Sequence, residues 1–508
     1  MFYKSVADSL AFFSVFEKHF SFWYLIPLVI IFCLLAFKAR KDIFKQVASL
    51  NWWPYVFIVF LVTVVMLKNY GFFDDSNDSR SEDYKIAAKF YAIKQEYMVC
   101  HYGKGNDCFA EATMEKAPGY SFLLSWFFRL FGVSSQTALA FSLLLALAAP
   151  IILFFTLLVI TGRLLISFPL ALLFALNKKF IEYATQTEVV MITIFFIIDS
   201  LFFAAVYYKS GNRELLMAAA CSFLLLGYVR AEYLLLFAVF LLFNWKEFFS
   251  IGRVNRLFSL VLAVLFIFLI LHSLTEMPRH ADSNGNYLVA SKLYERIPSK
   301  AQAFLFRQHY VFLIPVLAFS LLWLRKPKTV AFFALVHLIL FSALILMFQN
   351  DYLNNYFAPL LPSLFVGLGA GAQRLCLLDS KYASKRCYFA YPIFLFLLLA
   401  FFFFSLPYTH AGFEQYSVRS FDDLMNGIDK GVVFTHTQPI TSRLLLRTNL
   451  TVVLTTDPRR IRQFVSDDSY LVSLKSEFHA HEVDAVLNSF NMTVVRESQG
   501  VWIYKFEK

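Results

Sequence analysis

The stretch FWYLIPLVIIFCLLAFKARKDIFK, Phe22–Lys45, joins an uninterrupted apolar run to a strongly basic segment. An α-helix needs roughly 17–25 mostly apolar residues to cross the hydrocarbon core of a bilayer. Lysine and arginine gather in the cytoplasmic loops of membrane proteins, so the basic segment after Phe37 indicates a cytoplasmic end. The stretch therefore predicts a membrane-spanning helix that enters the cytoplasm at its carboxyl end.

The same pattern recurs along the chain, which is 59% hydrophobic and only 16% charged. A soluble domain has about 25% charged residues, so the composition indicates a polytopic membrane protein. We predict an all-α fold with about twelve transmembrane helices. The predicted spans lie near residues 22–38, 54–70, 135–160, 164–178, 188–208, 214–229, 231–244, 257–274, 310–324, 329–348, 357–374 and 389–407.

The net charge of +11 does not indicate a nucleic-acid partner, because the basic residues concentrate in short segments between the predicted spans. This is the positive-inside pattern, and it places those segments in the cytoplasm. The remaining loops then lie outside. These outer segments are 71–134, 179–187, 275–309, 349–356 and the chain from about residue 408.

The segment 408–508 has a different character from the rest of the chain. Short β-runs, GVVFTH, TVVLTT, SYLVSL, MTVVRE and VWIYKF, alternate with helical patterns expected to begin near Pro439 and Pro458. We predict a small extracytoplasmic α/β domain over 408–508 and a transmembrane domain over 1–407 that includes the first outer loop, 71–134. The HAHE sequence at 479–482 favours a solvated helix face over a metal site.

Two further features are the amino-terminal segment 1–21 and a pair of cysteines in the first outer loop. Charged residues interrupt the segment 1–21, which predicts an amphipathic helix at the membrane interface. Cys100 and Cys108 lie close together in the first outer loop, where either a local disulfide or two free thiols fits the sequence.

The first outer loop begins with the acidic stretch DDSNDSRSEDY, Asp74–Tyr84. One interpretation is a solvated loop, and the other is a catalytic site at the bilayer surface. The loop is far longer than an ordinary connection, which favours a functional role. It continues with the helical pattern YKIAAKFYAIKQEY and the amphipathic segment MEKAPGYSFLLSWFFRLFG, which is expected to lie along the membrane surface or to re-enter the membrane.

Other outer loops carry charged residues at a similar depth. Glu188 begins a span, and Arg230 and Glu232 stand at a tight turn between two spans. Charges at membrane depth are costly and are usually functional or paired. Arg230 is therefore either a functional cation, a partner of Glu232 in a salt bridge, or a snorkelling anchor. Further polar candidates in outer loops are Arg279 and Tyr356.

These motifs resemble the GT-C superfamily of polytopic glycosyltransferases, and within it the protein O-mannosyltransferase and lipid A aminoarabinose transferase group. The resemblance rests on the acidic cluster, Tyr84 to Ala88 as Y-x-x-x-A, EKAPGYSFLL…FRLFG, FIEYATQTE, LLLGYVRAEYLLL and YFAPLLPSLFVGLGAG, in the family's order. Two positions depart from the family pattern. Arg80 stands where the family has an acidic pair, and Ala117 stands where it often has a first proline, although Lys116 is retained.

The resemblance implies an inverting enzyme that moves a sugar from a polyprenyl-phosphate donor to a lipid, glycan or protein acceptor outside the cytoplasm. It implies Asp78, or else Asp75, as the base, and Glu188 as the residue that orients the acceptor or a cation. Lys116 and Arg230 would bind the donor phosphate. The other expected substrate-binding residues are Tyr84, Glu232, Arg279 and Tyr356. Asp74, Asp75 and Asp78 either hold a divalent metal such as Mg²⁺ or Mn²⁺ or form a solvated loop.

Two other function classes stay open. A lipid or sugar transporter or flippase would more often show internal repeats with broken helices, and the sequence has no convincing repeat. A non-catalytic GT-C-like protein of envelope assembly fits the departure at Arg80. The expected partners are the donor, the acceptor and membrane lipids, without nucleic acid. The expected location is a bacterial inner membrane, with the site and the C-terminal domain outside the cytoplasm.

Overall fold

The computed structural model describes the chain in several ranges, within which it forms a helical bundle and one mixed β-sheet. The described residues are 2–47, 79–104, 107–112, 117–184, 189–249, 262–267, 329–347, 358–382, most of 425–435 and 450–474, 480–498, 501–507 and a few isolated positions.

The helices of the bundle follow the predicted apolar runs. They are α1 (Phe2–Lys38), α2 (Arg40–Val47), α3 (Ser79–Lys94), α4 (Gly119–Phe131), α5 (Ser135–Thr161), α6 (Leu164–Ala175), α7 (Lys178–Ala184), α8 (Val189–Ser210), α9 (Arg213–Val229), α10 (Leu234–Phe249), α11 (Val330–Met347) and α12 (Leu361–Tyr382). Short 3₁₀ turns, Ala231–Tyr233 and Ala358–Leu360, precede α10 and α12.

Three of the described helices are long and apolar enough to cross a bilayer, judged by length and composition. These segments are Ser21–Lys38, Ser135–Thr161 and Val189–Ser210, and the shorter apolar helices are Leu164–Ala175 and Val330–Ser342. Most residues of the spans predicted at 54–70, 257–274, 310–324 and 389–407 lie outside the described residues. The total of about twelve spans therefore stays a prediction.

The first helix differs from the sequence expectation, because α1 continues without a break from Phe2 to Lys38. The segment 1–21 is thus an extension of the first span rather than a separate helix. The first outer loop packs against this extension: Tyr97 N donates to Lys18 O at 2.8 Å, and His19 Nδ1 lies 3.3 Å from Glu96 Oε1. These two contacts hold the first outer loop against the extension of α1.

Two predicted cytoplasmic segments meet at the opposite end of the bundle. Lys38 Nζ lies 3.4 Å from Glu214 Oε1, and the Asn212 side chain donates to the Asp42 carboxylate. Asn212 also begins α9, because its side-chain oxygen accepts a hydrogen bond from Glu214 N at 2.9 Å. The two segments therefore share one face, as the positive-inside pattern requires.

The sheet has seven strands in the order β2-β1-β4-β3-β5-β7-β6. The strands are β1 (Val99–Lys104), β2 (Asp107–Ala112), β3 (Gly431–Thr435), β4 (Leu450–Leu454), β5 (Ser469–Leu474), β6 (Met492–Ser498) and β7 (Val501–Phe506). β3 is parallel to β4 and β5, and the other pairs are antiparallel. All five strands predicted in the C-terminal segment are confirmed.

Two helices accompany the C-terminal strands. α13 (Pro458–Phe464) begins where expected, because the Asp457 carboxylate accepts a hydrogen bond from Arg459 N at 2.9 Å. α14 (Ala480–Leu487) begins within the HAHE sequence. The helix predicted near Pro439 lies outside the described residues.

The sheet also recruits the first outer loop, which the sequence did not predict. β1 and β2 form a hairpin in that loop, and β1 pairs with β4 through Tyr102 opposite Val453 and Lys104 opposite Thr451. The first outer loop and the C-terminal segment therefore lie on the same side of the bundle. Cys108, in β2, is disulfide-bonded. Of the two alternatives that the sequence left open, a disulfide rather than a free thiol is therefore present at this residue.

Alternating strand residues contribute to two hydrophobic cores. Val433 and Val452 belong to a core that is continuous with the membrane helices. Phe434 and Val453, on the other face, pack into a second core with Ile461 of α13. This alternation follows the two-residue period of a strand, and it places the sheet with one face on the helical bundle.

Two cysteines introduced at paired positions of β1 and β4 are expected to form a disulfide that joins the first outer loop to the C-terminal segment. Lys104 and Thr451 are paired residues, and the Cα separation of about 4.5–5.5 Å in antiparallel pairs suits a disulfide. We expect Lys104→Cys with Thr451→Cys to form a crosslink under oxidation, identified by mass spectrometry. Lys104→Cys with Thr493→Cys, on the distant strand β6, is the control. Absence of the first crosslink, or equal crosslinking in the control, would contradict the shared sheet.

Candidate functional site

Gly119, the first residue of α4, lies directly against the carboxyl end of α9. A Cβ atom at this position would lie 2.6 Å from Tyr228 O and 2.9 Å from Val229 N. These neighbours are backbone atoms, so no side-chain rotation could make room for a larger residue. Only glycine permits this approach, which brings the start of α4 next to the residue that precedes Arg230.

The end of α9 is held in place by several contacts. The Tyr228 hydroxyl donates to Leu265 O at 2.6 Å in a buried hydrogen bond, and its ring packs on Tyr24 with centroids 5.7 Å apart. Arg230 N donates to Leu226 O at 2.9 Å, which completes the last turn. Together these contacts fix the point at which Arg230 leaves the helix.

Arg230 and Glu232 form an ion pair in the turn between α9 and α10. Arg230 Nη2 lies 2.7 Å from Glu232 Oε1, and the two side chains are 9% and 25% exposed. The salt bridge that the sequence left open is therefore present. A guanidinium has five N–H donors in a planar fork, so one carboxylate contact can orient it without excluding a second anion.

The first turns of α3 lie against the first turn of α4. Ser121 Oγ donates to Tyr84 O at 3.0 Å, and the Tyr84 and Tyr120 rings meet edge to face with centroids 5.3 Å apart. Tyr84, a predicted substrate-binding residue, is buried in this contact. The starts of α3 and α4 and the end of α9 thus converge at one end of the bundle.

α3 carries two fully buried lysines that the sequence analysis missed. Lys85 and Lys89 are 0% and 1% exposed, and their spacing of four places them on one face of the helix. Burial lowers the pKa of Lys89 to about 8, so its ammonium group is still mostly protonated at pH 7. The signal was available as two lysines at helical spacing in an otherwise apolar stretch, Tyr84–Tyr91.

A second polar contact lies beside the Arg230 turn. Tyr233 stacks on Phe341 of α11 with centroids 4.2 Å apart, and His337 Nδ1 lies 2.7 Å from Ser363 Oγ of α12. Within the described part of the chain, the buried His337 Nε2 has no hydrogen-bond partner. These contacts tie α11 and α12 to the start of α10. The sequence analysis did not single out His337, which lies in an otherwise mostly apolar helix.

Most of the predicted site residues lie outside the described residues, and their roles stay predictions. They are Asp74, Asp75, Asp78, Lys116, Glu188, Arg279 and Tyr356. Several of them adjoin described elements in sequence. α3 begins directly after Asp78, α4 begins three residues after Lys116, and α8 begins directly after Glu188. α8 also contacts the 3₁₀ turn Ala358–Leu360, which follows Tyr356 in the chain.

The described residues contain no group of three or more His, Cys, Asp or Glu side chains that could hold a metal ion. The acidic residues predicted to bind Mg²⁺ or Mn²⁺, Asp74, Asp75 and Asp78, fall outside those ranges. The metal therefore stays a prediction that depends on the first outer loop.

Comparisons with solved structures identify the fold. ArnT from Cupriavidus metallidurans in the apo state is 13% identical, covers 89% of this chain and 98% of its own, and gives a TM-score of 0.53. ArnT bound to undecaprenyl phosphate is 13% identical, with coverage of 90% and 98% and a TM-score of 0.50. The Archaeoglobus fulgidus oligosaccharyltransferase in complex with Zn and sulfate is 11% identical, with coverage of 89% and 73% and a TM-score of 0.51.

No protein-family model and no curated protein sequence matches the chain. The structural similarity at such low identity shows the fold alone, and the chain shares this fold with ArnT and with the Archaeoglobus fulgidus oligosaccharyltransferase. This likeness agrees with the membrane fold predicted from the ordered motifs, while the count of about twelve spans stays a prediction. The apolar helices make the protein an integral membrane protein.

Gly119→Ala is expected to destabilise the protein, because the added methyl group would collide with the backbone of α9. Overpacking of this kind costs about 1–3 kcal/mol. We expect a lower unfolding temperature in nanodiscs, measured by intrinsic fluorescence. Gly369→Ala is the matched control, because its nearest atom is Leu157 Cδ2 at 2.7 Å, the end of a side chain that can rotate. Equal effects of the two substitutions would contradict the role of the α4–α9 contact.

Proposed function

We propose that the protein is a glycosyltransferase that moves a sugar from a polyprenyl-phosphate donor to an acceptor outside the cytoplasm. The observation that carries the proposal is the convergence of α3, α4 and the Arg230 turn at one end of the bundle. The fold adds support, because ArnT, which shares it, has been solved with bound undecaprenyl phosphate. The acceptor is a lipid, a glycan or a protein that reaches the outer face of the membrane.

Arg230 and Lys116 would bind the donor phosphate. The guanidinium of Arg230 supplies a planar fork of donors that matches phosphate oxygens, and Glu232 holds it at the turn. Lys116 lies three residues before Gly119, the residue in contact with the end of α9. The close approach at Gly119 therefore supports placing the two cations on the same phosphate.

The part of the acidic stretch that precedes α3, Asp74–Asp78, would supply the base. In this proposal the Asp78 carboxylate, or that of Asp75, takes the proton of the acceptor hydroxyl as its oxygen attacks the anomeric carbon. The bond from that carbon to the phosphate oxygen breaks, and the electron pair leaves with the phosphate. A single displacement inverts the anomeric centre, and the cations stabilise the charge that develops on the leaving group.

Further groups would complete the site. Glu188 would orient the acceptor, and Tyr84, Arg279 and Tyr356 would contact the substrates. A divalent cation such as Mg²⁺ or Mn²⁺, held by carboxylates of Asp74–Asp78, would neutralise phosphate charge, since oxygen ligands suit these ions. We place the protein in a bacterial inner membrane, with the sheet and the acidic stretch outside the cytoplasm and the donor's lipid tail between the helices.

A transfer assay with purified protein tests this function. The protein in nanodiscs is incubated with a radiolabelled polyprenyl-phosphate sugar and membrane extract as the source of acceptor. Label in the acceptor, with release of polyprenyl phosphate, supports the transferase. Movement of the labelled lipid between leaflets without transfer would indicate a flippase. Neither transfer nor movement would indicate a non-catalytic assembly protein.

Asp78→Asn is expected to abolish transfer while the protein still folds. The amide cannot accept the acceptor proton, and loss of a general base typically costs 10²–10⁴-fold in rate. The measurement is the initial rate of label transfer, with the unfolding temperature as a check on folding. Asp468→Asn is the control, because that side chain is 70% exposed in the sheet. Full activity of Asp78→Asn would move the base to another acid of the stretch.

A further inference from the structure

The helix α2 and the last turn of α1 present an exposed surface of aromatic and cationic side chains. We call it the α2 surface, and its members are Phe37, Arg40, Lys41, Phe44 and Lys45. The two phenylalanines are 64% and 66% exposed, which is unusual for large apolar side chains unless something else covers them. The surface therefore combines apolar area with three positive charges.

Helical hydrogen bonds continue across the junction between α1 and α2. Ala39 N donates to Leu35 O at 2.9 Å, and Ile43 N donates to Ala39 O at 3.1 Å. Residues three and four apart consequently lie on one side of the helix. The two exposed phenylalanine rings thus share a face with Lys41, which stands between them in the sequence.

The described protein does not neutralise the two lysines of this surface. Neither Lys41 nor Lys45 has an ion-pair partner among the residues that the structure describes. The carboxylate of Asp42 lies between them in the sequence, but it accepts a hydrogen bond from the Asn212 side chain. That contact fixes the opposite side of α2 on the bundle and leaves the lysines facing away from it.

Arg40 is held at the start of the same surface. Its Nη1 donates to Phe37 O at 3.0 Å, and its guanidinium carbon lies 3.9 Å from the centroid of the Phe37 ring. A cation over an aromatic face is attracted by the ring, and the planar guanidinium keeps further N–H donors for an anion. The arginine is therefore oriented without being neutralised.

The α2 surface lies at the level where the membrane meets water. The candidate span Ser21–Lys38 ends at it. Trp245, near the end of α10, is 54% exposed, and the adjacent Asn244 accepts a hydrogen bond from the Tyr208 hydroxyl at 3.0 Å. Tyr208 is near the end of α8, two residues before the segment that leads to Asn212. Because exposed tryptophan is typical of the headgroup level, the ends of α1, α8 and α10 indicate one interface.

We propose that the α2 surface binds the headgroup phosphate of an anionic phospholipid, at the end of the bundle opposite Arg230. The two phenylalanine rings would enter the upper acyl chains, and the cations would meet the phosphate at the headgroup level. Charge complementarity favours an anionic lipid, because the positive group of a zwitterionic headgroup cancels the charge of its phosphate. The site does not depend on the proposed transfer reaction.

The test compares lipid binding by the wild type, Lys41→Gln and Lys45→Gln. Each protein is placed in nanodiscs of phosphatidylglycerol and phosphatidylcholine and extracted with detergent, and mass spectrometry measures the ratio of the lipids that remain bound. We expect the enrichment of phosphatidylglycerol to fall about fivefold for each lysine removed, from the usual contribution of a basic residue near an anionic membrane. Lys246→Gln is the matched control, because Lys246 is exposed at the same end of the bundle but belongs to α10.

The control should retain the enrichment of the wild type. An equal loss in Lys246→Gln would reduce the effect to general surface charge and overturn the site, as would unchanged enrichment in both α2 variants. Undecaprenyl phosphate is the second probe. If its binding depends on the two α2 lysines while that of phosphatidylglycerol does not, the assignment to a phospholipid is overturned.

A measurement on the wild type avoids any folding defect of the variants. Phosphatidylglycerol should slow the reductive methylation of Lys41 and Lys45 relative to phosphatidylcholine, because a bound phosphate covers their ammonium groups. Lys246 in the same sample should be slowed much less. Equal slowing of all three lysines, or no slowing of the α2 pair, would overturn the proposal.

Discussion

The backbone contact between Gly119 and the carboxyl end of α9 is the constraint on which the outer half of the molecule depends. It fixes α4 on the membrane bundle, and α4 in turn holds α3 through Ser121 and Tyr84. The loop that contains α3 and α4 also supplies β1, which pairs with β4 of the C-terminal segment. The bundle, the first outer loop and the C-terminal sheet are therefore connected through one series of contacts.

Charged side chains of both signs lie where α3, α4 and α9 converge. Arg230 is held there by Glu232, and Lys85 and Lys89 are buried on the adjacent helix. Charges interact more strongly in such poorly solvated surroundings than they do in water, so an anion that enters gains more there than at an exposed surface. The acidic stretch continues into the first turns of α3, so in the proposed function the same region would supply both the cations for a phosphate and a carboxylate for proton transfer.

Local patterns predicted much of this architecture. The apolar runs predicted helices such as α5 and α8, and the alternating runs predicted β3 to β7. The ion pair between Arg230 and Glu232 was one of the alternatives predicted for that turn. Features that depend on distant contacts were not predicted. β1 and β2 contain cysteine, glycine and charged residues, and they become part of a sheet through pairing with β4. Likewise, the burial of Lys85 and Lys89 was not predicted, although their place in the apolar stretch Tyr84–Tyr91 was a signal of it.

A cryo-EM structure of the protein in nanodiscs with undecaprenyl phosphate tests the central claim most directly. The account predicts density for the phosphate where the starts of α3 and α4 meet the end of α9, in contact with the Arg230 guanidinium. The lipid tail should extend from there between the membrane helices. Density for the phosphate at the opposite end of the bundle, beside Lys38 and Glu214, would contradict the account.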